Sequence, residues 1–199
     1  MTGIDYVDIK EAKKKLILSL AAPNDIALKS KEFAESKKIL DFGCYIDSIV
    51  YKASDNKKYF GFDQSEKAKQ WLKEKNVFVD FWKTEEKFDL IVAISVMEHL
   101  SWEQRYSFIK QARNLLCENG HLIMNFGFTQ NHSLLGFFGD IEHRDPISPL
   151  DFSKLLDCYG FQSKVYLHHI VISPAIIFDL LLHYYPFSTV TIISKKIKK

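Results

Sequence analysis

Residues 39–43 read Ile39-Leu40-Asp41-Phe42-Gly43, and Gly61-Phe62-Asp63 follows, with Asp63 20 positions after Gly43. An apolar run that closes on an acidic residue and then a glycine reads as a buried strand feeding a tight turn into a helix. The second short apolar run again ends in a carboxylate. Together they outline a nucleoside-binding βαβ unit, in which the glycine lets backbone approach the ligand and the distal carboxylate receives ribose hydroxyls. The glycine fingerprint is incomplete, because Gly43-Cys44-Tyr45-Ile46-Asp47 stands where G-x-G-x-G would be. The function turns on what that gap does to the loop.

Outward from this unit, strands and helices alternate. Residues 48–53 allow only a short helix, and Tyr59 to Phe62 is a second strand. A helix over Ser65 to Lys75, with Ser65 as its cap, places Ala68, Trp71 and Leu72 on one face. Val77 to Phe81 reads as a third strand and Phe88 to Ser95 as a fourth. Trp102 to Leu116 carries Phe108, Ile109, Ala112, Leu115 and Leu116 at helical spacing, and Asn119-Gly120 is expected to end that helix, with glycine left-handed. His121 to Phe126 is the fifth strand, residues 127–147 are a polar loop, and Pro149 to Cys158 is a helix closed by Gly160. Ser163 to His168 and Thr189 to Ser194 are the last strands. Before residue 37 the chain reads as helical over 6–36, interrupted at Pro23-Asn24-Asp25.

This pattern predicts an α/β fold: a Rossmann-like, seven-stranded, mostly parallel sheet with helices on both faces and an antiparallel last strand. One domain is expected over 1–199. Within it lie an N-terminal helical cap (1–36), a cofactor-binding core (37–126), and an acceptor side with the closing strands (127–199).

The bulk composition fits a soluble globular protein, with 47% hydrophobic and 26% charged residues. A net charge of +2, with its lysines scattered, argues against a dedicated nucleic-acid binder. Cys44, Cys117 and Cys158 are odd in number and far apart, and form no metal-binding or disulfide pattern. With no secretion signal at the N-terminus, a cytoplasmic location is expected. The longest apolar stretch, Ile170 to Leu182, is broken by Pro174 and Asp179 and is too short to span a bilayer. Residues 170–187 as a whole read as a helix on the sheet, as a lid over an apolar acceptor, or as a dimer or peripheral membrane contact.

Four stretches in order carry a family resemblance. They are Ile39-Leu-Asp-Phe-Gly-Cys44, Gly61-Phe-Asp63, Phe88-Asp-Leu-Ile-Val-Ala-Ile-Ser-Val-Met-Glu-His-Leu100 and Leu115-Leu-Cys-Glu-Asn-Gly-His-Leu-Ile-Met124. The chain resembles class I S-adenosylmethionine-dependent methyltransferases, and within them the small-molecule group, from about Lys37 to Phe161. The resemblance implies S-adenosylmethionine as cofactor. It implies that Asp41, Gly43, Cys44 and Tyr45 shape the loop under the methionine part, that Asp63 holds the ribose, and that Asp80 contacts the adenine edge. Ser95 and Val96 would line the cleft at the methionine end. Phe62 or Trp82 would pack on adenine or belong to the core. The family has glycine where this chain has Tyr45, and often at Asp47.

Methyl transfer from a sulfonium is an in-line displacement, and a hydroxyl acceptor must also lose its proton. Histidine, with an ordinary pKa near neutrality, is the usual base. The candidates are His143, His99 and His132. Glu98-His99 also has a structural reading, as the start of the next helix. No metal is expected, since Ser95 stands where a metal-assisted pattern would have its first Glu. The chain is expected to methylate a small molecule, at oxygen. The alternative is a methyltransferase-like binding or regulatory module whose cofactor loop has degenerated. A nicotinamide-dependent oxidoreductase fits less well, because its fingerprint requires three glycines.

Overall fold

The computed structural model describes residues 16–19, 23–127, 148–169 and 187–198. In chain order the elements are β1 (Leu16–Ser19), α1 (Pro23–Lys29), α2 (Lys31–Glu35), β2 (Lys38–Phe42), α3 (Ile49–Lys52), β3 (Lys58–Phe62) and α4 (Glu66–Glu74). Then follow β4 (Phe88–Ile94), a 3-10 turn at Met97–His99, α5 (Trp102–Leu115), β5 (Leu116–Gly127), α6 (Pro149–Cys158), β6 (Phe161–His169) and β7 (Phe187–Lys196). The strands form one seven-stranded sheet in the order β1-β6-β7-β5-β4-β2-β3. The pairs β2–β3, β2–β4, β4–β5 and β1–β6 are parallel, whereas β7 is antiparallel to both β5 and β6.

The α/β expectation and the antiparallel last strand are borne out, but the seven strands are not the seven expected. Val77 to Phe81 makes only an isolated bridge, Phe78 to Gly61. Ladder growth stops there because the chain turns at Asp80, whose carbonyl accepts from the N–H groups of Lys83 and Thr84. The seventh place is taken by Leu16–Ser19, within the segment read as helix. Leu16-Ile17-Leu18 finds a partner in Val165 to Leu167 of β6, and sheet pairing overrides the helical propensity of the lysine-rich surroundings. Helix in the described part of 6–36 is confined to α1 and α2. The antiparallel strand β7 inserts between β5 and β6.

Each face of the sheet has its own core. On one side Phe42, Phe88, Ile91 and Met124 pack against Phe108, Ile109 and Ala112 of α5 and Phe152 and Leu156 of α6. On the other, Ile39, Leu90, Val92 and Ile123 pack against Ala27 of α1, Phe33 of α2, Val50 of α3 and Leu72 of α4. The central strands are therefore apolar on both faces, as a parallel sheet covered by helices requires. Two buried polar pairs pin the antiparallel strands. Asn125 Nδ2 donates to Thr191 Oγ1 at 2.9 Å, and the Ser163 and Ser194 hydroxyls lie 2.9 Å apart. A slipped register would bury these groups unpaired, at about 1–3 kcal/mol each.

The α5–β5 junction also differs from expectation. The helix ends at Leu115, and Asn119 rather than Gly120 takes the left-handed conformation, with φ of 60°. Residues 117–120 bulge out of the β4 ladder, whose register jumps from Phe88–Leu116 to Leu90–His121. Gly160 does follow α6 with φ of +78°, as expected. Residues 128–147 and 170–186 lie outside the described residues, and with them His132, His143 and most of the apolar stretch. Among the described residues no helix is long and apolar enough to cross a membrane.

Candidate functional site

The chain runs from β2 to β3 on one side and then returns to place β4 on the other side of β2. This reversal opens a crevice at the carboxyl ends of β2 and β4, the place where open α/β sheets bind ligands. A cleft of about 410 Å³ lies there, lined by Phe42, Gly43, Phe62, Asp63, Gln64, Ser95, Val96, His99, Leu100 and Gln104.

Gly43 is required in two ways. Its φ is +75°, and a Cβ at this position would overlap the Val96 side chain across the crevice. Its N–H donates to Phe62 O at 2.8 Å, which ties the turn to β3. Asp63, half-buried at the end of β3, is fixed by two backbone donors: Tyr45 N–H to Oδ2 and Ser65 N–H to Oδ1, each at 2.8 Å. Each oxygen keeps a lone pair for a further donor.

The loop that lacks glycines still follows a glycine-type path. Tyr45 has φ of 48° and Asp47 of 54°. The Tyr45 side chain is 54% exposed and is not part of the cleft lining, so it does not fill the site. Asp47 forms a surface ion pair with Lys52 at 2.8 Å, and the cap of α3 is Ser48.

Asp41 sits beneath this loop and does not line the cleft. It is buried, and its Oδ2 accepts from Ser48 Oγ at 2.6 Å and from the Tyr59 hydroxyl at 3.0 Å. Burial pushes its carboxyl up to about 6, against the pull of those two donors. Cys44 also points inward. Burial, then the Asp41 charge, pushes its thiol up to about 12, which leaves it an inert core group.

On the β4 side, Ser95 is exposed in the cleft with φ of 54°, and its N–H donates to Asn125 O at 2.7 Å. Val96 and His99 share the same wall. Glu98 turns away and is buried, its Oε1 accepting from Gly127 N–H at 3.2 Å, so it fastens the 3-10 turn to the end of β5. Asp80 is not brought to the cleft. It accepts from Trp82 N–H at 3.1 Å and lies 3.7 Å from Lys83 Nζ. Phe62 lines the cleft while stacking on Phe42, with ring centroids 5.3 Å apart, whereas Trp82 packs edge-on to Phe42 outside the lining. Among the described residues no three His, Cys, Asp or Glu side chains are grouped to hold a metal.

A model of the methyltransferase domain matches residues 11–164, more than half of the chain. The chain belongs to the methyltransferase domain family. No curated protein matches this chain in sequence. Solved structures share its fold at low identity. A SAM-dependent methyltransferase from Archaeoglobus fulgidus superposes with a TM-score of 0.69 at 17% identity, over 87% of this chain and 92% of that one. The magnesium protoporphyrin IX methyltransferase of Synechocystis PCC 6803, solved with bound SAH, gives 0.62 at 14% identity over 98% and 90%. The phosphoethanolamine N-methyltransferase 2 of Haemonchus contortus, in complex with S-adenosyl-L-methionine, gives 0.62 at 12% identity, over 88% of this chain and 52% of that one.

The protein has a second polar cleft of about 420 Å³, lined in part by Glu32, Asp89, Glu118, His121 and Lys195. It opens at the amino end of β4, away from the strand ends where such sheets bind ligands. Gln64, Leu100 and Gln104 were not among the residues singled out from the sequence, yet they line the first cleft. A signal for Gln104 existed. Ser101-x-x-Gln104 forms a reciprocal capping box that opens α5 beside the cleft.

Proposed function

We propose that this protein is an S-adenosylmethionine-dependent methyltransferase that acts on a small molecule, with an oxygen nucleophile as acceptor. One observation carries the reading. A carboxylate fixed by two backbone donors, Asp63, faces a cleft in which the neighbouring turn residue, Gly43, leaves no space for a side chain. The residues present fit the cofactor. Asp63 is the acceptor for the ribose hydroxyls, Gly43 lets the backbone pass under the methionine part, and Ser95 and Val96 form the facing wall. Among the described residues the lining contains one carboxylate and no Lys or Arg, which suits a ligand bearing a sulfonium charge.

The cofactor supplies an electrophilic methyl group, and the protein supplies alignment. His99 is the base in this reading, since it lines the cleft beside Ser95 and can take the hydroxyl proton of an acceptor bound there. His143 and His132 remain proposals as residues of the acceptor side, as does the division into a cap, a cofactor core and an acceptor side. Partners follow from the same reading: a small-molecule acceptor, no nucleic acid, and a dimer or peripheral membrane contact through 170–187 as a further proposal. A cytoplasmic location belongs with it.

The degenerate-module alternative is disfavoured by the loop itself. Tyr45 and Asp47 adopt the conformation that glycines would take, and neither side chain occupies the cleft. The reading is tested by transfer of a radiolabelled methyl group from S-adenosylmethionine to a panel of hydroxylated small molecules, with His99→Ala as control. Transfer by the wild type, lowered about 100-fold or more in the variant, supports it. Transfer only to amine acceptors would move the acceptor from oxygen to nitrogen.

A further inference from the structure

The loop Gly43–Ser48 keeps a left-handed path at two positions that carry side chains. A residue with a Cβ pays about 1–2 kcal/mol at each such position, so the surroundings must impose it. The two side chains offer little anchorage. Tyr45 is largely exposed, and the Asp47–Lys52 pair is a surface ion pair of little worth.

The anchorage lies underneath. Tyr59, on β3, donates its hydroxyl to Asp41 Oδ2, and Ser48 Oγ donates to the same oxygen. Ser48 Oγ also accepts from Tyr51 N–H at 3.0 Å, so one hydroxyl closes the loop and caps α3. The Tyr59 ring is itself held edge-on against Tyr51, with centroids 5.1 Å apart. Tyr59 to Asp41 to Ser48 therefore bolts the far end of the loop to the sheet, while Asp63 holds Tyr45 N–H at the near end. Tyr59 and Ser48 are both outside the cleft lining and would not touch a ligand there.

Resting on the reading of the cleft as an S-adenosylmethionine site, we propose that Tyr59 is a positioning residue. Acting through Asp41 and Ser48, it holds the loop in the path that glycines at 45 and 47 would adopt unaided. Without the phenol, the buried carboxylate loses one of two charge-assisted bonds and is free to turn toward another donor, taking Ser48 with it.

The test uses Tyr59→Phe, which keeps the ring and removes only the donor. Two readouts are taken: hydrogen exchange at the amides of 44–48 in ligand-free protein, and calorimetric affinity for S-adenosylhomocysteine. The same change is repeated in a Tyr45→Gly/Asp47→Gly background. The expected result is exchange and dissociation constant each raised about tenfold by Tyr59→Phe, the size of one lost bond to a charged acceptor. In the glycine background the expected change is under about twofold, because the two effects are coupled. A lower melting temperature with unchanged loop exchange and affinity would reduce Tyr59 to an ordinary core residue and overturn the proposal. So would an equal loss in both backgrounds. Failure of the wild type to bind the ligand would instead overturn the reading of the cleft, and this proposal with it.

Discussion

The backbone N–H of Tyr45 donates to Asp63 Oδ2 at 2.8 Å. The residue that departs most from a glycine loop is therefore also the one that orients the carboxylate facing the cleft. The departure sits in the side chain, which points to solvent, and not in the backbone, which follows the glycine path. Loss of a loop glycine consequently does not remove the site's geometry. It moves the cost into backbone strain that neighbouring bonds must hold.

That strain is measurable. Tyr45→Gly is expected to raise stability by about 1 kcal/mol, the left-handed penalty less the added freedom of the unfolded chain. Urea denaturation followed by circular dichroism reads this as a higher midpoint at an unchanged slope. A lower midpoint would show that the tyrosine ring contributes more than its exposure indicates.

Gly43→Ala is expected to act in the opposite sense. The new methyl group meets Val96 and the φ of +75° is retained only under strain, so a loss of about 2 kcal/mol or more is expected. Because Val96 is the facing wall of the cleft, ligand affinity should fall along with the denaturation midpoint. A Val96→Ala change made together with Gly43→Ala should return part of both.

Asp41 gives the fold a dependence on pH. Burial raises its carboxyl to about 6, whereas in the unfolded chain it titrates near its ordinary value of about 3.9. The folded state thus holds the proton more tightly. The associated stability is complete below about pH 4 and is lost as pH rises through about 6, an effect on the order of 2–3 kcal/mol. Denaturation midpoints taken from pH 4 to 8 should show this slope in the wild type, and Asp41→Asn should lack it. A slope that persists unchanged in the variant would assign it to other groups.

The sequence showed the site's frame because its determinants are local. An apolar run closing on Asp41 and Gly43, and another closing on Asp63, can do little else in an α/β chain than end adjacent strands at one crevice. Ser95 and Val96, at the end of β4, came from the family resemblance. What the sequence hid depends on tertiary pairing. Leu16–Ser19 is strand only because β6 offers an edge, and Val77 to Phe81 falls short of one because Asp80 turns the chain. Asp80 was expected at the cleft and is instead held in that turn. The link from Tyr59 to Asp41 spans 18 positions and involves a tyrosine that reads as plain core.

The central claim is that Asp63, oriented by Tyr45, holds the ribose of S-adenosylmethionine. Its most direct test is calorimetric titration of the wild type and Asp63→Ala with S-adenosylhomocysteine. The account predicts binding by the wild type with a dissociation constant in the micromolar range, about −8 kcal/mol. It predicts a loss of about 3 kcal/mol or more in the variant, the worth of two hydroxyl bonds to a carboxylate. Equal binding by the two folded proteins, or none by the wild type, would contradict it.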